Sequence, residues 1–173
     1  MPKSGETVKR AVSIPHRQKF WISEYVSDEN RFSNRADFIL HATRRLYYEI
    51  SEAKGRGDME SALSGLLEDP SVLDEDRIDE SYCESVQVTW PAGFLYSAEA
   101  LCDEIDGVQA SQIHGNTKRQ RFRRFVICAV EREINNIKRL EGVDYRPRIL
   151  GLEQLDLLND EDCEDCEDEE VNE

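Results

Sequence analysis

No stretch of this sequence is long and apolar enough to cross a membrane as a helix. Its first six residues, Met1–Glu6, lack the apolar segment of a secretory signal, so a cytoplasmic location is expected. In that reducing setting the five cysteines read as thiols, not as a disulfide frame. Cys163-Glu164-Asp165-Cys166 has the spacing of half a zinc site, but there is no second Cys-x-x-Cys. Cys83, Cys102 and Cys128 are scattered, the last two on apolar faces. His16, His41 and His114 share no ligand-like spacing to a carboxylate or a cysteine. There is no nucleophile elbow, no phosphate loop and no His-Glu-x-x-His. Neither an enzyme nor a metal or cofactor site is therefore expected.

Lysine is also scarce, at 6 of the 22 basic residues, while Asp and Glu number 37. The resulting net charge of −15 resembles the surface chemistry of proteins from salt-loving cytoplasms, where charge of one sign maintains solubility. The charge is unevenly spread. Residues 1–50 carry nine basic and six acidic side chains, and residues 85–140 carry eight and six. Residues 51–84 carry three and eleven, and residues 141–173 carry two and fourteen. Two mildly basic segments thus alternate with two strongly acidic ones. An acidic whole-chain balance speaks against nucleic acid, but it does not describe the basic segments.

Both basic segments have the same order of elements. Val8, Val12 and Ile14 alternate before Pro15, which predicts a short strand, with Arg10 interrupting its apolar face. Ile22, Tyr25 and Val26 then suit one face of a helix from His16 to about Ser27. Asp28–Arg31 reads as a turn, and Ser33 as the N-cap of a second helix with Phe38, Ile39, Ala42 and Leu46 on its stripe. Gly55 and Gly57 end it. Residues 58–84 read as a loose acidic linker with a short helix possible between Met59 and Leu67.

The order then returns. Val86, Val88 and Trp90 alternate before Pro91, and Leu95, Ala98, Leu101, Cys102 and Ile105 follow helical spacing. A loop leads to Thr117-Lys118-Arg119-Gln120, which fits a capping box. Phe122, Phe125, Val126, Ala129, Val130, Glu133 and Ile137 mark a long helix, apolar along this stripe except at Glu133. The two prolines lie 76 residues apart, and the second copy has a longer path to its second helix.

Ala11-Val12-Ser13-Ile14-Pro15 and Phe32-Ser33-Asn34-Arg35-Ala36-Asp37-Phe38-Ile39 resemble the ribbon-helix-helix superfamily, the Arc and methionine-repressor class of DNA-binding proteins. They match its strand-Pro start and the Ser-x-Arg-Ser-Glu-Phe-Ile-like opening of its second helix. The likeness covers residues 7–53; residues 85–139 resemble the family less closely. It implies a mainly α fold with a short two-stranded antiparallel ribbon, in which two units on one chain form a tandem pseudo-dimer. The expected divisions are a first unit at 1–54, an acidic linker at 55–84, a second unit at 85–140 and an acidic, disordered tail at 141–173.

The resemblance also implies a role for each outward ribbon position, two, four and six residues before each proline. These are Ser13, Ala11 and Lys9, and Thr89, Gln87 and Ser85, all expected to face base edges of double-stranded DNA. Lys9 can donate to guanine, Gln87 can pair with adenine, Thr89 and Ser13 suit either, and Ala11 offers only a contact to a thymine methyl. Phosphates would sit at the openings of the second helices. Ser33, Asn34 and Arg35 hold that place in the first copy, and Thr117, Lys118, Arg119, Arg121, Arg123 and Arg124 in the second. Residues 117–124 contain five cations in eight, the most basic stretch of the chain.

The expected function is sequence-specific DNA binding in transcriptional regulation, as a repressor, with self-association along DNA. Because the two strands differ, a monomer would read an asymmetric site. Asn159–Glu173 holds ten acids and no base. It reads as a solubilising tail, or as a segment that binds a basic protein or competes with DNA. The alternative to a regulator is an antitoxin whose tail neutralises a basic toxin. A third reading is a helical adaptor without a nucleic-acid role.

Overall fold

A computed structural model describes residues 5–27, 32–74 and 83–141. The order is β1 (Thr7–Pro15), α1 (His16–Ser27), α2 (Arg35–Gly55), α3 (Met59–Ser64), a 3-10 turn (Pro70–Leu73), β2 (Cys83–Pro91), α4 (Ala92–Asp106) and α5 (Lys118–Glu141). Among the described residues the fold is mainly helical with a two-stranded antiparallel sheet, formed by β1 and β2. Each strand is followed by two helices, and each strand ends on its proline. Proline lacks the N–H that a longer ladder would need, and its fixed φ suits the helix that follows.

The alternation along the strands separates two faces. Val12, Ile14, Val88 and Trp90 are buried beneath the ribbon. Arg10 shares their face at the ribbon's open end. Its guanidinium is paired with Glu99 of α4 and lies 6.0 Å from the centre of the Phe122 ring. The interruption that Arg10 makes in the apolar pattern is thus a cation neutralised at the edge of the core.

The α5 helix is the centre of the molecule. Residues Phe125 to Glu131 are all buried, so this stretch is enclosed on every side, not on one stripe. Its two buried acids are both satisfied. Glu131 pairs with Arg17 and accepts from Gln18 Nε2 at 3.0 Å, and Glu133 accepts from Arg45 Nη1 at 3.0 Å, with His41 3.7 Å away. A carboxylate in this position would be costly unless paired. Glu133 is therefore a helix-to-helix clamp within the apolar stripe. Burial also pushes the Cys102 and Cys128 thiols far above their usual range, which keeps them neutral.

One local expectation changes. The N-cap of α2 is Asn34, one residue after Ser33. Asn34 is extended, and its side-chain oxygen accepts from the Asp37 N–H at 2.9 Å, while Asp37 accepts from the Ser33 N–H at 3.1 Å. The two side chains satisfy the opening amides reciprocally, with asparagine as good a cap as serine. At the C-terminal end, α2 stops at Gly55 as expected, with Arg56 as its C-cap and Gly57 following at a φ of +74°, a conformation that other residues seldom adopt.

The acidic connection between the two halves is the larger change. Its first part is packed, not loose: Leu63, Leu66, Leu67, Val72 and Leu73 are buried in the same core as both strands. Asp69 caps the 3-10 turn by accepting from the Ser71 N–H at 3.0 Å. Arg132 of α5 donates to the Leu66 carbonyl, and Gln112 accepts from the Leu67 N–H. The high charge of this segment conceals a sparse apolar pattern that only a neighbouring surface makes useful. The expected turn at 28–31 and the expected disordered tail, with Cys163 and Cys166, lie outside the described residues. Among the described residues, no helix is long and apolar enough to cross a membrane.

Candidate functional site

The ribbon register brings the six outward positions into three facing pairs. Lys9 pairs with Thr89, Ala11 with Gln87, and Ser13 with Ser85. Side chains alternate along a strand, so all six lie opposite the buried Val12, Val88 and Trp90. Lys9, Ser85, Gln87 and Thr89 are exposed, whereas Ala11 and Ser13 are half-buried. The pairing has an internal relation. Pro15 and Pro91 are 76 positions apart, and so are Ala11 and Gln87, which face each other. The same offset carries Lys9 to Ser85 and Ser13 to Thr89.

Along β1 the ribbon meets the opening of α5. A cleft of about 240 Å³ lies there, lined by Arg10, Ala11, Ser13, Thr117, Arg119, Gln120, Phe122 and Arg123 among others. The expected cap forms at its edge with one shift: Thr117 Oγ1 accepts from the Gln120 N–H at 3.1 Å, while Gln120 Oε1 accepts from the N–H of Asn116, one residue before Thr117, at 2.8 Å. The first turn of α5 contains no acid, so its free amides and the helix dipole are not offset within the helix.

The cations of residues 117–124 divide by environment. Lys118 and Arg119 are exposed on the first turn, and Lys118 Nζ lies 3.4 Å from Asp103. Arg121 is turned inward: its Nη2 donates to Asp103 at 2.7 Å and its Nη1 to the Gly115 carbonyl at 2.7 Å. These bonds hold the Asp103 carboxyl below its ordinary range, Arg121 being the principal cause. Arg123 reaches the ribbon, where Nε donates to the Ser13 carbonyl at 3.2 Å and Nη2 to Cys83 Sγ at 3.0 Å. Arg124 donates to the His114 carbonyl. Arg121 and Arg124 thus brace the loop ahead of α5, and Arg123 ties α5 to the ribbon.

The opening of α2 is built differently. Ser33, Asn34 and Arg35 are exposed, but Asp37 occupies the first turn and takes the Ser33 amide. Glu84, at the start of β2, pairs with Lys19 and lies 3.6 Å from His16, and the charge of Arg35 also acts on it. The hydrogen bond from Lys19 holds Glu84 below its ordinary range. The first turn of α2 therefore holds a carboxylate of its own, whereas the first turn of α5 holds none and the acids near it, Asp103 and Asp106, come from α4 and engage Arg121.

Sequence reasoning overlooked Arg10 and Gln120 as lining residues of the cleft. The signal for Arg10 was a cation at an inward strand position. The anchoring of Arg121 by Asp103 leaves no sequence signal, because the two are joined across a loop. No family model, curated protein or solved structure matches the chain.

Proposed function

We propose that this chain is a tandem ribbon-helix-helix pseudo-dimer that binds double-stranded DNA through the outward face of its ribbon, as a transcriptional repressor. The observation that carries the reading is the register: Lys9, Ala11, Ser13, Ser85, Gln87 and Thr89 share one face as three cross-strand pairs. A two-stranded ribbon fits the major groove of duplex DNA, where every base pair presents a distinct pattern of donors and acceptors. Five of the six side chains are polar and short or flexible enough to meet base edges.

In this reading the base contacts specify and the helix openings position. The backbone amides at the start of α5, with Lys118 and Arg119 beside them, receive phosphate oxygens. Ser33, Asn34 and Arg35 serve the opposite strand at the start of α2. Arg121, Arg123 and Arg124 act on phosphates less directly, by holding the α5 opening against the ribbon. Each phosphate neutralised releases counterions, so affinity falls steeply with salt. In a salt-rich cytoplasm the charge contribution is screened, and base and shape contacts carry more of the binding.

The test is a titration of the full chain against labelled random-sequence duplexes at low salt, repeated at rising salt. Saturable binding that weakens linearly on a log–log salt plot is expected. Absence of binding to any duplex at low salt would overturn the reading in favour of a protein-binding role.

A further inference from the structure

From the register, together with the proposed DNA-binding role, we infer that the duplex this protein takes is non-palindromic and is seated in one orientation by a single copy of the chain. In a ribbon made of two identical strands, the residue at the centre faces its own copy. Every outward side chain then has an identical mate at the other end, and the natural partner is a palindrome. Here the offset of 76 that relates the two prolines places the centre between Ala11 and Gln87. The central position is occupied by one amide and one methyl group. Gln87 therefore extends over the centre without a competing side chain opposite it.

The two ends differ as well. Lys9 and Thr89 form one end, and Ser13 and Ser85 the other. Turning the duplex end for end would exchange a long cation for a hydroxyl too short to span the same distance. Lysine prefers the acceptor pair of guanine, and glutamine the donor–acceptor pair of adenine. Such a face reads a guanine toward one end and an adenine at the centre, with weak demands at the Ser13–Ser85 end.

The flanks reinforce this polarity. The opening of α5, beside β1, has no acid in its first turn and carries Lys118 and Arg119. The opening of α2 carries the acid Asp37 in its first turn. A phosphate is drawn more strongly to the first, where no acid in the first turn offsets the helix dipole. The backbone grip is thus lopsided in the same molecule whose base-reading face is lopsided.

The experiment is selection of bound duplexes from a random pool by the full chain at low salt, with sequencing of the enriched pool. A single non-palindromic motif is expected. In fluorescence titrations against it, Lys9→Ala should erase the preference at one end only, and Gln87→Ala the preference at the centre. Each loss should be roughly 5- to 150-fold between the best and a substituted base pair. Arg119→Ala should lower the log–log salt slope by about 0.9, and Arg35→Ala by clearly less. Circular dichroism on each variant checks that it is folded. A palindromic motif, sequence-independent binding, or equal slope changes for Arg119→Ala and Arg35→Ala would overturn the inference while leaving duplex binding intact. No binding to any duplex would overturn the reading beneath it.

Discussion

Arg121 donates to one oxygen of Asp103 through both Nε and Nη2, at 3.1 and 2.7 Å, joining α4 to the opening of α5. The cation is only 15% exposed, which separates it from its exposed neighbours Lys118 and Arg119. The pair gives stability a dependence on acid. The folded Asp103 carboxyl titrates below its ordinary value of 3.8, chiefly because Arg121 hydrogen-bonds its ionised form. A depressed carboxyl contributes stability in full above its unfolded pKa and loses it as pH falls through the folded one. Asp103→Asn should therefore lower the urea midpoint at neutral pH, and the gap from the native chain should close below about pH 4. A gap that stays constant down to pH 2 would mean that Asp103 acts by shape and not by charge.

The same geometry divides the basic cluster into two kinds of residue. Lys118→Ala with Arg119→Ala should weaken binding to all duplexes alike, with a salt slope flatter by about 0.9 for each lost phosphate contact. Thermal stability should change little, since both side chains are exposed and the Lys118–Asp103 pair is a surface one, which contributes little. Arg121→Ala should instead give a clear loss of melting temperature. Titration and thermal scans on the same preparations check both. If Arg121→Ala melts like the native chain, its role as a brace is wrong.

Gln87 faces away from Val88 and Trp90, so its removal should spare the core. Gln87→Ala should cost roughly 1–3 kcal/mol of discrimination at a single base pair while leaving non-specific affinity nearly intact. Binding to every single-base variant of the selected site measures this. Equal losses at all positions would show that Gln87 does not read sequence.

Trp90 lies opposite Val8 in the ribbon, is fully buried, and donates from Nε1 to the Arg10 carbonyl at 3.3 Å. Its ring stands 5.4 Å from Phe122, edge to face. Trp90→Ala should cost about 3–5 kcal/mol, because the cavity cannot collapse beneath a paired strand. Denaturant unfolding reads the loss directly, and a change under about 1 kcal/mol would mean that the ribbon can settle into the space.

Arg45 tests the clamp within α5. Arg45→Met leaves the buried Glu133 beside His41 without its guanidinium partner. A loss of roughly 1–3 kcal/mol is expected, the stranded carboxylate being the cause. Arg45→Met combined with Glu133→Leu should recover much of it, since paired apolar replacements can be neutral. The four corners of that cycle, measured by urea unfolding, decide whether the carboxylate or the packing matters.

The sequence by itself determined the local elements. Val12-x-Ile14 before Pro15 and Val86-x-Val88-x-Trp90 before Pro91 specified two strands and their inward faces, because period-two patterning and the missing proline N–H act within a few residues. Thr117 and Gln120 specified the start of α5 for the same local reason. The spacing of Phe122, Phe125, Val126 and Val130 specified the face that α5 presents to the core. Only the tertiary structure decided which partners those elements meet. It paired β1 with β2 in the register that sets Ala11 against Gln87, a choice made by how both inner faces pack onto one core. It enclosed α5 between Phe125 and Glu131 and drew Leu63, Leu66 and Val72 out of an acidic segment into that core. It also sorted the cations of residues 117–124 into exposed and engaged, because Asp103, Gly115 and Ser13 meet them only after the chain has closed. Coulomb and hydrogen-bond energies depend on distance in space, and separation along the sequence does not report it.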